Sequence, residues 1–287
     1  MLFRRYRTAA TQSAGTRTCS APTPRAAVTT LPSATLSCVQ PASETPMYRR
    51  VLLDWGSATR GARRDHNEDS FCTAAPVFVV ADGMGGHAAG ELASSAVAAS
   101  MATLGGCSEV TDAEIGRCIT EARNRIGHVS FVGGKPPGST LSGVIVTEGA
   151  NPCWTVLNIG DSRTYLLDGE ALTQLTNDHS VAQELVDQGA ISVSDARNHR
   201  FAHVLTRSIT HDEVHLLDVN QIPLHRGDRI LVCSDGVSGP LDNDVLADLL
   251  RSHADPRDAA TAVIAAVVNA GGVDDATAVV IDALNIV

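Results

Sequence analysis

Lysine is almost missing from this chain: Lys135 stands alone against 21 arginines, the bias of a GC-rich coding sequence. Positive charge is scarce altogether, with 22 Lys and Arg against 32 Asp and Glu and a net charge of -10. Phosphate-backbone binding needs a basic excess, so the balance argues against a general nucleic-acid binder. It suits a site built from carboxylates and neutralised by cations. No stretch reaches the roughly 20 apolar residues that span a bilayer. The seven cysteines are odd in number and contain no Cys-x-x-Cys pair. That argues against a disulfide framework or a zinc site and points to a reducing, cytoplasmic compartment. No internal repeat is evident. What remains is a chain of 287 residues, 44% hydrophobic, long enough for one large globular domain or two small ones.

The first 46 residues differ from the rest. They hold Arg4, Arg5, Arg7, Arg17 and Arg25, a single acid, Glu44, and much Ala, Ser, Thr and Pro. Such a composition buries too little apolar surface to offset the entropy of ordering, so it reads as a disordered tail. A start of translation at Met47 is the equivalent reading, and an arginine-rich organellar transit peptide ranks behind both. No continuous apolar run follows the arginines, which disfavours a secretory signal. Residues 47–287 then form the folded part and carry a net charge of -14.

Within that part the pattern predicts a strand over Arg50–Gly56, ended by Gly56-Ser57, then a charged loop from Thr59 to Ser70 whose Glu68 and Asp69 can enter a strand paired beside Asp82. A helix is expected over Ala89–Leu104. A second starts at the capping box Thr111-Asp112-Ala113-Glu114, carries Ile115, Ile119, Ala122 and Ile126 on one face, and weakens at Gly127. Residues 131–139 read as a loop. Four strands, Thr140–Thr147, Trp154–Ile159, Arg163–Leu167 and Ala171–Leu175, look like a meander. Asn177-Asp178-His179-Ser180 offers an N-cap for a helix ending near Gly189, and Ser192–Thr210 lacks any period and reads as a flap. Strands follow at Glu213–Asp218 and Arg229–Cys233, then helices after Asp242-Asn243 and from Asp255-Pro256, and a final strand over Ala278–Ile281.

One stretch organises the rest. Val77-Phe78-Val79-Val80-Ala81 is a β-branched, apolar run suited to a buried strand, and it delivers Asp82 to a glycine-rich turn before an alanine-rich helix. An acid held at the end of a rigid element can present oxygen to a hard cation, and Gly83 lets a main-chain carbonyl come close. Asp-Gly is also a hairpin signal, and Asp168-Gly169 between two short apolar arms reads that way. The Asp82 arrangement recurs at Ser234-Asp235-Gly236, while Asp161 follows another apolar strand and Asp274 precedes the last one.

Any one of these aspartates is more often structural, because Asp is common in turns. Brought together at one end of a sheet they would repel one another unless protonated or metal-bound. Oxygen-only ligands favour magnesium or manganese over zinc or copper. Two such ions, about 3.5–4 Å apart, can lower the pKa of a bridging water and aim it at phosphorus. Arg64, five residues before Asp69, can bind two phosphoryl oxygens at once.

Arg64-x-x-Asn67-Glu68-Asp69, Asp82-Gly83-Met84-Gly85-Gly86-His87, Gly138-Ser139-Thr140, Gly160-Asp161-Ser162-Arg163, Leu175-Thr176-x-Asp178-His179-Ser180, Ser234-Asp235-Gly236 and Asp274-x-x-Thr277 occur in an order that resembles the bacterial branch of the metal-dependent protein phosphatase 2C family. The resemblance runs from about Trp55 to the C-terminus. It implies an α+β fold, a four-layer α-β-β-α sandwich of two central antiparallel sheets flanked by pairs of helices. It also implies a monomeric enzyme in which metal-activated water attacks phosphoserine or phosphothreonine directly, opposing a serine/threonine kinase. By matching position Asp82 bridges two Mn2+ or Mg2+ ions, the Gly83 carbonyl binds the second, and Asp235 and Asp274 bind the first. Glu68 and Asp69 hold or orient metal-bound water, Asp161 belongs to a third, weaker metal site, and Arg64 binds phosphate.

Departures from the family pattern are visible too. Met84 stands where many eukaryotic members have a histidine proposed as general acid. Asp275 replaces the usual Asn after the last ligand and adds charge. His199-Arg200-Phe201-Ala202 lacks the usual Pro and Arg of the flap, and Thr210 replaces a Gly. His179 reads as a residue that fixes a helix start. The alternatives are a pseudophosphatase acting as a regulatory binding module, which loss of a ligand aspartate would favour, and a dinuclear nuclease or phosphodiesterase, which the acidic surface suits poorly.

Overall fold

The computed structural model describes residues 4–5, 48–61, 66–85, 88–130, 136–169, 171–197, 199–211 and 216–287. Apart from Arg4–Arg5, the expected tail of residues 1–46 lies outside the described residues, as does Arg64. In chain order the elements are β1 (Arg4–Arg5), β2 (Val51–Arg60), β3 (Asp69–Ala74), β4 (Val77–Met84), α1 (Ala88–Ala102), α2 (Asp112–Ile126), β5 (Gly138–Ser139), β6 (Leu141–Thr147), β7 (Cys153–Ile159), β8 (Arg163–Asp168) and β9 (Ala171–Gln174). Then come α3 (Val181–Asp187), α4 (Val193–Ala196), β10 (Ile209–Thr210), β11 (Asp218–Pro223), β12 (Arg229–Cys233), α5 (Asp235–Ser238), α6 (Asn243–Ser252), α7 (Pro256–Asn269) and β13 (Ala276–Ile286).

These strands make two antiparallel sheets. The first has the order β1-β11-β7-β6-β4-β5-β10 with β3 also on β4, and the second has the order β2-β13-β12-β8-β9. The run Val77–Ala81 is apolar without alternation because β4 is covered on both faces. Val77, Val79 and Ala81 pack with Ala93, Val97 and Met101 of α1 and Ile115, Ala122 and Ile126 of α2. Phe78 and Val80 point the other way, into a core shared with Ile230, Val232, Val279 and Ile281 of the second sheet. On that sheet's outer face Leu231, Ala278 and Val280 meet Leu246 and Leu250 of α6 and Val263 and Val267 of α7. Helix pair, sheet, sheet, helix pair is the four-layer α+β sandwich that the family pattern implies.

Local signals place the helices where expected. Thr111 and Glu114 close a reciprocal capping box on α2, with Glu114 N donating to Thr111 Oγ1 at 3.3 Å and Thr111 N to Glu114 Oε2 at 2.8 Å. Asp255 caps α7 through Arg257 N at 2.7 Å, with Pro256 at the first turn. Among the described residues no helix is long and apolar enough to cross a membrane.

Four expectations change. The first strand does not stop at Gly56-Ser57: β2 runs on to Arg60 because β13, itself longer than Ala278–Ile281, pairs with it over almost its whole length. The strand expected over Glu213–Asp218 is β11, Asp218–Pro223, with 212–215 outside the described residues. Within the loop expected over residues 131–139, Gly138–Ser139 forms β5 against β4, while 131–135 lie outside the described residues. The four strands from Thr140 are not one meander either, because β6 and β7 pair in the first sheet and β8 and β9 in the second. The chain crosses between sheets at Gly160-Asp161-Ser162, where Gly160 takes a φ of 107° that side-chain-bearing residues rarely adopt.

Candidate metal centre

Asp82 and Asp69 are direct register partners on β4 and β3, so pairing the two strands places both carboxylates at one end of the first sheet. Asp82 is fixed by Thr140, whose Oγ1 accepts from Asp82 N at 2.9 Å and whose N–H donates to Asp82 O at 2.8 Å. The same hydroxyl lies 2.7 Å from Ser162 Oγ, which ties it to the crossover carrying Asp161. Contacts then run between the sheets. Ser234 Oγ at the end of β12 donates to Asp69 Oδ2 at 2.7 Å and accepts from Thr277 N at 3.0 Å. Glu68 N donates to Asp275 Oδ2 at 2.7 Å. Gly83 N donates to Glu68 O at 2.9 Å, and a Cβ at Gly83 would collide with the Gly90 and Glu68 carbonyls, so only glycine allows this approach of β4, α1 and the entry to β3.

The result is a group of carboxylates that feel one another. Asp69 and Asp161 are buried, whereas Asp82 and Asp235 are half-buried. Loss of solvent, then the charges of Asp69, Asp235 and Asp161, push Asp82 well above the ordinary carboxylate range. Asp161 is raised by its burial and by Asp235 and Asp178. Burial raises Asp69 to about 7, with Asp235 and Asp275 adding to it and the Ser234 hydroxyl opposing it. Burial also pushes Asp235 up, but hydrogen bonds from His203 and Asp82 outweigh it and Asp235 stays low. Within this cluster of side chains Asp235 is held low while Asp82 and Asp161 are pushed up.

Beside Asp161 and Asp235 opens a cavity of about 510 Å3, with Arg163, Val193, Arg197 and His203 among its walls. Arg163 is held by Asp178 through Nε at 2.9 Å and Nη2 at 2.7 Å. Arg197 anchors the flap by donating to Gly239 O at 2.7 Å and pairing with Asp242. His203, an exposed flap residue, brings Nδ1 within 3.2 Å of Asp235 Oδ2, and that bond raises its pKa.

Of the sequence candidates, the structure brings together Asp69, Asp82, Asp161 and Asp235, with Glu68 buried next to Asp69 and Gly83 directly after Asp82. Asp274 is exposed at the rim, its Oδ1 accepting from Asp275 N at 3.0 Å and its charge reaching His203. Arg64 lies outside the described residues. His203 was not foreseen, because no spacing in the flap announces it. His179 does not cap a helix: Ser180 caps α3, and the imidazole reaches back to Gly160.

The donors fit a hard divalent cation. The candidate side-chain ligands are carboxylates, and Asp69 Oδ1 is buried without a hydrogen-bond partner. Among the described residues no three His, Cys, Asp or Glu side chains close into a ready cage.

The protein phosphatase 2C pattern matches residues 60–259. The serine/threonine protein phosphatase PstP of Mycobacterium tuberculosis is 34% identical over 245 residues, which cover 82% of this chain and 46% of that protein, so the chain spans about half the length of this relative. The serine/threonine phosphatase stp of Listeria monocytogenes is 30% identical over 236 residues, covering 78% of this chain and 92% of that protein. A crystal structure of the catalytic domain of PstP in complex with two manganese ions superposes with a TM-score of 0.73 at 32% identity, covering 82% of this chain and all of that one.

Proposed function

The chain belongs to the protein phosphatase 2C family, and we propose that it hydrolyses phosphoserine and phosphothreonine in proteins with Mn2+ or Mg2+ as cofactor. The observation that carries this reading is the meeting of Asp69, Asp82, Asp161 and Asp235 from both sheets, raised or lowered in pKa by one another at the mouth of a cavity. Two ions bound at these oxygens would neutralise the carboxylates, lower the pKa of water toward neutrality and polarise the phosphoryl group.

The chain's own residues divide the work. Asp82 would be shared by both ions, the Gly83 carbonyl would serve the second, and Asp235 with the rim residue Asp274 would serve the first. Asp161 belongs to a third, weaker site. Asp69 Oδ2 is taken by the Ser234 hydroxyl, so its buried Oδ1 would be the oxygen that orients metal-bound water. Glu68 assists in orienting that water, and Arg64 holds the phosphate. Met84 has no proton to give, so the leaving serine or threonine oxygen takes its proton from water or another group.

The reading extends to a monomeric phosphatase domain over residues 47–287 preceded by a tail, to signalling against a serine/threonine kinase, and to the cytoplasm. Support for a reducing compartment comes from the cysteines, of which Cys72, Cys107, Cys118, Cys153 and Cys233 are all free. A phosphothreonine peptide and p-nitrophenyl phosphate, offered with Mn2+ and then with excess chelator, test the proposal. Turnover that disappears with chelator and returns with Mn2+ is expected; turnover indifferent to chelator overturns the reading.

A further inference from the structure

His179 is 4% exposed, between β9 and α3, and takes no part in the roles above. Yet it grips one residue, Gly160, through both of the peptide groups that flank it. Its backbone N–H donates to Gly160 O at 2.9 Å, and its ring Nδ1 accepts from Gly160 N at 3.1 Å. A backbone amide can only donate, so Nδ1 is the bare nitrogen and Nε2 carries the hydrogen. That hydrogen goes to Asp218 Oδ2, with Nε2 at 3.1 Å. Arg207 Nη1 donates to Asp218 Oδ1 at 2.9 Å and lies 3.2 Å from Nε2, a contact between two donors rather than a bond. Arg207 stands at the base of the flap, where Thr206 N also donates to His179 O at 2.8 Å.

The gripped residue opens the crossover between the sheets. Gly160 adopts its positive φ there and Asp161 follows at once, on a segment held also by Asn158 Nδ2, which donates to Gly160 O at 3.1 Å, and by Thr140 through Ser162. We propose that His179 is a positioning residue for Asp161. Its Nδ1 fixes the Gly160 amide and so the direction in which Asp161 enters the cluster, while Asp218, held by Arg207, keeps the ring in the tautomer that can accept. The flap base and the Asp161 turn are thereby joined through one imidazole. This rests on the reading of Asp161 as a ligand of the weaker metal site.

The test uses the full chain and three substitutions, His179→Asn, His179→Gln and Asp161→Asn, with Asp218→Ala in reserve. Asn can place an oxygen where Nδ1 sits, and Gln can place a donor where Nε2 sits, so His179→Asn keeps the grip on Gly160 and His179→Gln loses it. Mn2+ binding is read by titration calorimetry, the Gly160 amide by hydrogen exchange, and folding by thermal melting. Supporting residues one step behind a ligand cost about 10–100-fold in metal affinity when lost. His179→Gln is expected to speed exchange at Gly160 and to weaken the weaker class of Mn2+ sites at least tenfold, the tight class being unchanged. His179→Asn is expected to stay within threefold of the parent. Asp161→Asn should abolish the weaker class. If His179→Gln frees the Gly160 amide while Mn2+ binding is unchanged, or if both His179 variants lose affinity only in step with melting temperature, the positioning role is overturned. If Asp161→Asn leaves all Mn2+ binding intact, the ligand reading of Asp161 fails, a result separable from the exchange data. Should His179→Gln not fold, Asp218→Ala, at a partly exposed position, removes the tautomer lock and must weaken the same class of sites or the proposal falls.

Discussion

The two ends of the sandwich treat carboxylates in opposite ways. At one end Asp69, Asp82, Asp161 and Asp235 crowd together, and the basic groups felt by Asp235 are the exposed His203 and an Arg163 already committed to Asp178. At the other end, six residues before Asp235 on the same central strand, Asp282 and Asp228 are each answered. Arg229 opens β12 opposite Asp282 of β13 and grips it with Nε and Nη2, both at 2.6 Å. Its remaining donors reach His253 O at 2.6 Å and Ala254 O at 2.7 Å, just past the C-terminal end of α6, where a cation is favoured. Asp228 accepts from Trp154 Nε1 at 2.9 Å and from His225 N at 2.8 Å. One end therefore spends its acids on holding the layers together, and the other stores unbalanced charge that the strand pairing restrains.

Breaking each end separates these uses. The largest effect is expected at the acidic end, where Asp82→Asn should lower phosphopeptide turnover with Mn2+ on the order of a thousandfold or more, since it removes the carboxylate shared by both ions. Chelator-treated Asp82→Asn should melt no lower than the parent. Turnover near that of the parent would remove Asp82 from the mechanism. At the other end Arg229→Met leaves Asp282 half-buried and unanswered, and should cost about 3–5 kcal/mol in urea unfolding. Adding Asp282→Leu to it should recover a large part. A cost below about 1 kcal/mol for the single change would show that the end is held by packing alone.

A smaller effect follows from pH. Carboxylates of the unfolded chain titrate near 3.8, whereas Asp69 in the fold reaches about 7 and Asp82 and Asp161 are also raised. Between those values the folded state binds more protons than the unfolded state, so raising the pH removes stability. Protein in excess chelator should lose about 2 kcal/mol between about pH 5.5 and pH 7.5, and saturating Mn2+ should flatten or reverse that slope. A chelated protein that gains stability over this window would contradict the charge storage inferred for the acidic end.

How much of this contrast is legible before folding depends on whether its cause is local. Asp82 and Asp235 are readable because a doubly covered strand is apolar throughout, so the first acid closes the apolar run, although β4 itself continues through Gly83 and Met84 to pair with β5. The capping box at Thr111 and the Asp255-Pro256 start are equally local. The split of β6–β9 between two sheets is not, because alternation along a strand is the same whichever sheet receives it; the change of sheet falls at Gly160, with its positive φ and its bond to His179 nineteen residues on. Nor is β11, an edge-side strand with little buried besides Val219 and a terminal Pro223. His203 reaches Asp235 only because Arg197 fastens the flap to Gly239, a contact between residues forty-two apart. The arginine clasp at Arg229 is invisible for the same reason.

Asp275 offers the finest division of the two ends, because it belongs to both kinds of chemistry. Its Oδ2 accepts the Glu68 amide at 2.7 Å, a structural bond of the sort found at the arginine end, yet its charge helps to raise Asp69. Asn at this position retains a carbonyl for the Glu68 N–H and discards the charge. Asp275→Asn is therefore expected to stabilise the chelated protein by about 1 kcal/mol, a rise of roughly 2–4 °C in melting temperature for a domain of this size, and to move the pH window of instability downward. With Mn2+ bound the gain should shrink, because the cations already answer the charge that Asn removes. A loss of stability in chelator would mean that Asp275 acts as a hydrogen-bonding post alone, and that the charge stored at this end is confined to Asp69, Asp82, Asp161 and Asp235.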